Sequence, residues 1–517
     1  MKKIMKLKLF STISAVTLMA SALFFAACSD DDNAGSPSTA YKTIKFRPAS
    51  IAEGAEVNAR MVSQLTLSLN NMVTINPAVD ITLNGTKVTV TPSDATSMEM
   101  IVTLPVMDRG QSYTLTVPEG AFIGQLDKTA LSPAYTLTFT TKSGPKPVSN
   151  EATEFLKKLG WGWNLGNHFD TSNTEWGYWD GVNTIDASVF TGIAAAGAKT
   201  VRIPVTWTCH MTDNIISGDY LNEVAAAVDK ALAAGLYVIL NSHHDSFETE
   251  LGSAATNQDV AKQDSAIIVE LWKQVATKFK DYNEKLIFET FNEIHDGDNW
   301  SSDNEAQLNL LNVWNQYAVD AIRATGAGNA TRWIGIPGYA ASPKSALAAT
   351  FQLPTDPANR LMVSAHFYDP SNFTLSPEGE WGVSEWGHNA TPGNFVEDCN
   401  EDYVEDTFIQ LQQKFIANNI PVYIGEYGCV MHSNDRSNLF RNYYLEYVCR
   451  AAHDSNLPVC IWDNNAVGSG NEKHGYFSHS DGSWLNNMEQ LVKAMIKAAT
   501  TDDAAYDLDN LYNNAPE

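Results

Sequence analysis

The sequence predicts an α/β protein: a parallel (β/α)8 barrel preceded by a small all-β domain. Three observations predict it. Eight short apolar runs alternate with helical segments over roughly 350 residues of the chain's later part. Polar and aromatic residues gather at the C-terminal ends of those runs, where such barrels keep their chemistry. Upstream of a Pro-rich break, the pattern changes to a period of two, the mark of half-buried strands.

Taken in order, residues 1–28 fit a secretory signal. Lys2, Lys3, Lys6 and Lys8 precede an apolar run from Leu9 to Ala27, and Phe25-Ala26-Ala27 precedes Cys28 like a lipoprotein cleavage box. Cys28 is therefore the expected lipidation site, and 29–40 an acidic linker beginning Ser29-Asp30-Asp31-Asp32. This places the protein, by expectation, on the outer membrane or cell surface of a Gram-negative bacterium.

Residues 41–142 are predicted to form an Ig-like β-sandwich. Ile81/Leu83 and Val88/Val90 flank Asn84-Gly85, two residues that tolerate the positive φ of a tight hairpin. Tyr113/Leu115/Val117 and Tyr135/Leu137/Phe139 alternate with polar residues in the same way. No acid, base or metal-ligand cluster falls here and no Trp, so a spacer is expected rather than a sugar-binding module. Residues 143–149, containing Ser143-Gly-Pro-Lys-Pro-Val148, form a linker.

The barrel is expected over 150–502, with an acidic tail at 503–517. Its strands are expected at 160–167, 200–207, 237–244, 286–293, 332–339, 361–368, 421–428 and 459–465. Between them, Ile267, Leu271, Val275 and Phe279 recur every four residues, and Leu308, Leu311, Asn315 and Val319 nearly do. The rival is an open doubly wound sheet, which would carry a Gly-rich phosphate loop after its first strand. GWNLGN followed by His168 is not one.

The stretch LIFETFNEIHDG, Leu286 to Gly297, ends its apolar run at Asn292-Glu293, and PVYIGEYGC ends at Glu426. Two carboxyls at the mouths of distant strands are what cleavage of a glycosidic bond needs, once a fold brings them together. Asn164/Asn167, Arg202, His243/His244, His366/Tyr368 and Trp462 fall on the same rim, more polar groups than a stable barrel has structural use for. Arg202 is expected beside Glu426, favouring its carboxylate form. His243-His244-Asp245 could suggest metal binding, but no third ligand recurs at suitable spacing, so no catalytic metal is expected. Trp207, Trp300, Trp381 and Trp386 lie in or after strand ends, where half could be core and the rest stacking faces for sugar rings.

RIPVTW, LNSHHD, FETFNE, SAHFYDP, IGEYG and Trp462 together resemble glycoside hydrolase family 5, a cellulase-type barrel of clan A, over about residues 150–500. The branch most resembled contains endo-β-1,4-glucanases, including members acting on xyloglucan and mixed-linkage glucan. The resemblance implies Glu293 as acid/base and Glu426 as nucleophile. It implies Arg202, His243, His244, Asn292, His366, Tyr368 and Trp462 as substrate-binding residues, and no cofactor. Many relatives have Pro after the acid/base Glu; this chain has Ile294-His295, a loop variation on the leaving-group side.

Composition agrees with a neutral substrate. Lys+Arg 34 against Asp+Glu 60 gives a net charge of −26, which disfavours nucleic acid and acidic polymers as partners. Beyond Cys28, five cysteines remain: Cys209, Cys399, Cys429, Cys449 and Cys460. An odd number leaves one unpaired, and the apolar settings of Cys429 and Cys460 favour buried thiols. The expected function is a retaining endo-β-1,4-glucanase, a monomer tethered to a membrane through Cys28. The alternatives are an endo-β-1,4-mannanase and a glycan-binding surface lipoprotein without activity.

Overall fold

In the computed structural model the described residues are 42–517, apart from 61, 94–96 and 174–176. The signal, the acidic linker and Cys28 lie outside them. The described chain falls into two compact units that divide between Thr141 and Lys142.

The first unit is all-β. Its sheets hold five, three and two strands. Asn84 (φ 46°) and Gly85 (φ 81°) make the expected tight turn between Thr82–Leu83 and Thr86–Lys87. Ser112–Val117 pairs antiparallel with Tyr135–Thr141, and the alternating Leu115, Val117, Leu137 and Phe139 enter a core of their own.

The second unit is a closed barrel of eight parallel strands: β1 (Gly162–Asn164), β2 (Thr200–Ile203), β3 (Tyr237–Asn241), β4 (Leu286–Glu289), β5 (Ile334–Pro337), β6 (Leu361–Phe367), β7 (Val422–Tyr427) and β8 (Val459–Ile461). Nearly every strand residue is buried, as both faces of a covered parallel sheet must be. Around it, the helices Gln258–Phe279, Glu305–Ala324, Glu401–Lys414 and Asp435–Asp454 start at Asn257, Asn304, Asn400 and Asn434. Each of these side chains accepts from backbone amides of the first turn. Leu271, Val275 and Phe279 turn inward as their spacing predicts, while Ile267 is only half-buried. Residues 503–517, expected as an acidic tail, include the helix Leu508–Asn513, whose Leu508 and Leu511 are buried in the barrel's hydrophobic cluster.

The strands are shorter than the sequence predicts. Six of the eight end two to four residues before the expected limit, and β6 and β7 end one before it; β4 stops at Glu289, not Glu293. The polar residues beyond these ends leave the ladder to converge over the barrel mouth. Between β6 and β7 the register slips at Ala365/His366, which sets His366 opposite Glu426. The five described cysteines are free thiols, with Cys429, Cys449 and Cys460 buried.

Candidate active site

Arg202 is the middle of the site. On β2 it stands between Val201 and Ile203, so alternation sends its side chain to the opposite face, into the barrel. There it has no exposed surface and spends its donors on groups from or just beyond three other strands, β1, β4 and β7. Nη1 donates to Glu426 Oε1 at 2.6 Å and to Asn164 Oδ1 at 3.0 Å. Nη2 donates to Glu289 Oε1 at 2.7 Å and to Asn292 Oδ1 at 2.9 Å, and Nε reaches Glu289 Oε1 at 3.0 Å. Burial opposes the charge, but Glu289 and then Glu426 more than offset it and hold the guanidinium protonated.

Glu289 and Glu248 were not anticipated from the sequence. Glu289 is fully buried; Asn241, Ser364 and Tyr423 also donate to it. Burial pushes its carboxyl up, yet Arg202 brings it below the usual range. Glu248, in the loop after β3, accepts from Asn292 Nδ2 at 3.1 Å and bonds His244 Nδ1 at 2.8 Å. Asn292 is thus gripped at both ends of its amide.

Glu293 and Glu426 come together. One oxygen of each, with a ring nitrogen of His366, lie within 4.8 Å of one another. His366 Nδ1 is 2.7 Å from Glu293 Oε1 and 3.8 Å from Glu426 Oε2. Burial pushes the His366 imidazole down to about 4, so it is neutral here. Tyr368 donates to Glu426 Oε2 at 3.0 Å, and burial together with the Glu426 charge keeps its hydroxyl protonated. The Glu293 carboxyl is pushed up to about 7, first by burial and then by the charge of Glu248. One carboxyl is therefore held by a cation and a hydroxyl, while the other retains a proton near neutrality.

Trp462 closes the floor, its ring parallel to His243 (7°) with centroids 5.9 Å apart. Gly166 of GWNLGN is required under it: a Cβ there would lie 2.6 Å from the indole and 2.7 Å from the Asp463 carbonyl. Asn164 joins the site through Arg202, whereas Asn167 (φ 61°) serves a turn closed by Asp170. Trp207 and Trp386 are core; Trp300 and Trp381 are exposed.

His243 and His244 are joined by an acid, but it is Asp170 and not Asp245. Asp245 instead accepts from the amides of Trp207 and Thr208. His243 Nδ1 accepts from the Asn241 amide, so Nε2 carries the ring's proton and donates rather than ligates. Glu248 raises His244 to about 9 against the effect of burial, which makes that ring a cation. The donor set suits hydroxyl groups better than a metal ion.

Since Glu289 is the counter-ion that lets Arg202 sit dry, Glu289→Gln should cost roughly 3–5 kcal/mol in urea unfolding. A loss below about 1 kcal/mol would show that Glu426 alone compensates the guanidinium.

Comparison with known proteins agrees with this geometry. The model of the cellulase family (glycosyl hydrolase family 5) matches residues 162–468. Endoglucanase A of Paenibacillus barcinonensis is 33% identical over 363 residues, covering 65% of this chain and 87% of that protein. The xyloglucan-specific endo-beta-1,4-glucanase BoGH5A of Bacteroides ovatus is 32% identical over 343 residues, 62% of this chain and 66% of that one. Among solved structures, a GH5-4 broad specificity endoglucanase from Bacteroides salanitronis is 40% identical with a TM-score of 0.64, covering 68% of this chain and 97% of its own. A native Bacteroidetes-affiliated GH5 cellulase linked with a polysaccharide utilization locus is 36% identical with a TM-score of 0.67, covering 72% and 99%. Matched over more than half its length by the family's model, this chain belongs to glycosyl hydrolase family 5.

Proposed function

We propose that the protein is a retaining endo-β-1,4-glucanase acting on neutral plant glucans of the cellulose, xyloglucan or mixed-linkage type. The observation that carries this is the spacing of Glu293 and Glu426, whose nearest oxygens lie within 4.8 Å. Retaining enzymes hold their carboxyls about 5–5.5 Å apart, whereas inverting ones need about 6.5–9.5 Å to admit a water.

In this reading Glu426 attacks the anomeric carbon while Glu293 gives its proton to the departing glycosidic oxygen. A covalent glycosyl-enzyme forms and the aglycone leaves as an alcohol. Glu293, now a carboxylate, takes a proton from water, whose oxygen displaces Glu426 from the same carbon. Arg202 and Tyr368 fix the two oxygens of Glu426 for attack. Asn292, held by Arg202 and Glu248, stands beside the acid with its amide aimed for the 2-hydroxyl. Trp462 offers its face to the reacting sugar, with His243 and His244 beside it.

The first unit fits an Ig-like spacer, supported by its alternating strands. Lys2, Lys3, Lys6, Lys8, the apolar run and Cys28 support export and lipid attachment to a bacterial surface. A Cys28→Ala variant should then leave the membrane fraction or remain unprocessed; unchanged fractionation would remove the anchor from the account.

Two predictions follow from the carboxyls. Glu293→Ala should lose polymer hydrolysis by 10²-fold or more. On an aryl glycoside with a good leaving group it should still show a burst of phenol, and azide should speed turnover to a β-glycosyl azide. Glu426→Ala should show no burst, and an exchange of these behaviours would invert the roles. Second, the acid works only while protonated, so kcat/KM on polymer should fall as pH rises through about 7. Glu248→Gln removes the like charge and should move that alkaline limb to lower pH. A limb that stays put would mean that Glu248 does not set the acid.

A further inference from the structure

His168 and Asp180 lie in the loop that follows β1, and Asp463 and His479 in the segment that follows β8. These four ionisable side chains form a cluster that the reaction above does not use, and none of them has exposed surface. Two rings converge on one oxygen: His479 Nδ1 is 2.9 Å and His168 Nδ1 3.0 Å from Asp180 Oδ2. On its other side, His479 Nε2 stands 3.6 Å from Asp463 Oδ1. Burial opposes a charge on His479, but Asp180 and Asp463 raise its ring to about 9, which makes it a cation between two carboxyls. Burial pushes Asp180 up as well, and the two imidazoles bring it below the usual carboxylate range. The Trp163 ring stands nearly perpendicular to His479 (83°), centroids 5.2 Å apart. Backbone bonds tie the same two loops. Asp180 N donates to the Asn167 carbonyl, Asn465 Nδ2 donates to the Asp180 carbonyl at 2.9 Å, and His479 N donates to Asn465 Oδ1 at 3.1 Å.

The cluster lies directly behind the floor of the site, because Asp463 is the residue after Trp462. Asp463 has no capacity to spare. Its Oδ2 accepts from Trp163 Nε1 and from Phe477 N, both at 2.8 Å, and its Oδ1 accepts from Asn465 N at 3.0 Å. Its carbonyl accepts from Gly166 N at 2.9 Å, while Trp462 N donates to the Tyr427 carbonyl. The indole therefore hangs between β7 on one side and Asp463 on the other. Gly166 lies so close beneath it that a small shift of Asp463 has to tilt the ring.

We propose that His479, clasped between Asp180 and Asp463, is a positioning residue: through Asp463 it holds Trp462 flat under the reacting sugar. The proposal rests on the glucanase reading for what the floor supports, and on the cluster's geometry for what holds the floor. Apolar packing would join the two loops at a lower desolvation cost, whereas charged hydrogen bonds of fixed direction join them in one arrangement.

The test labels the protein with 5-fluorotryptophan, which gives each indole its own fluorine NMR signal. Signals are assigned by their loss in Trp462→Phe, Trp272→Phe and Trp314→Phe, the last two being buried indoles on the outer helices. Wild type is compared near neutral pH with His479→Gln, which keeps a hydrogen bond and removes the charge. Rates on an aryl β-cellobioside are counted per competent site, titrated with an activated 2-deoxy-2-fluoro cellobioside. His479→Gln should displace or split the Trp462 signal, leave those of Trp272 and Trp314 in place, and lower kcat per site about tenfold with KM within about twofold. A loss of thermal stability or of competent sites, with the Trp462 signal and kcat per site as in wild type, would show that the cluster only stabilises the fold and overturns the proposal. Displacement of all three signals, a general loosening, overturns it too. If His479→Gln does not fold, Asp180→Asn leaves the imidazole and removes one of its carboxylates. That variant should displace the same single signal, and an unmoved one overturns the proposal. If wild type cleaves no β-glucoside, the glucanase reading fails, while the Trp462 signal still decides whether His479 holds the floor.

Discussion

Everything at the barrel mouth depends on one buried cation. A guanidinium with no exposed surface is tolerable only when its charge and donors are met inside the protein. Arg202 meets them with Glu289, Glu426, Asn164 and Asn292, four groups from or just beyond β4, β7 and β1. Its planar fork dictates where those groups stand, more strictly than an ammonium would. The two carboxylates around it differ in use. Glu289 is spent wholly on structure, taking three further donors from β3, β6 and β7. Glu426 keeps a little exposure and faces Glu293. The barrel thus holds Glu426 in place by giving its cation a second, fully buried partner.

The contrast between the two facing carboxyls follows from their neighbours. Glu426 sits against a cation and a phenol, while Glu293 has burial, a neutral His366 and the charge of Glu248. The raised proton affinity of Glu293, beside a Glu426 held by a cation and a phenol, is what the proposed division into acid and nucleophile requires. The neutrality of His366 matters here, because a second cation between the two would hold both ionised.

Much of this was legible in the sequence, and the reasons are physical. An apolar run that stops at a carboxyl is conspicuous, which exposed Glu293 and Glu426; Arg202 inside TVRIPV was equally out of place. Glu289 carries the same signal, an acid inside LIFET, but Glu293 four residues on ends the apolar run and masks it. A lone cation in one buried strand requires a buried anion in another. Glu248 gave no such signal, since an acid in a polar loop is ordinary. Strand ends were overshot because hydrophobicity persists past the last ladder bond; Phe291 and Val205 are buried but outside strands. Asp170 approaches His243 and His244 only through the fold, so spacing along the chain pointed to Asp245 instead.

The central claim is that Glu426, oriented by Arg202 and Tyr368, becomes covalently bonded to the sugar. Incubation with an activated 2-deoxy-2-fluoro cellobioside, which slows the second step more than the first, followed by peptide mass spectrometry, tests it most directly. The account predicts one fluorosugar adduct per chain, on the Val422–Tyr427 segment at Glu426. An adduct on Glu293, or inactivation-free turnover that gives the α-anomer first, would contradict it.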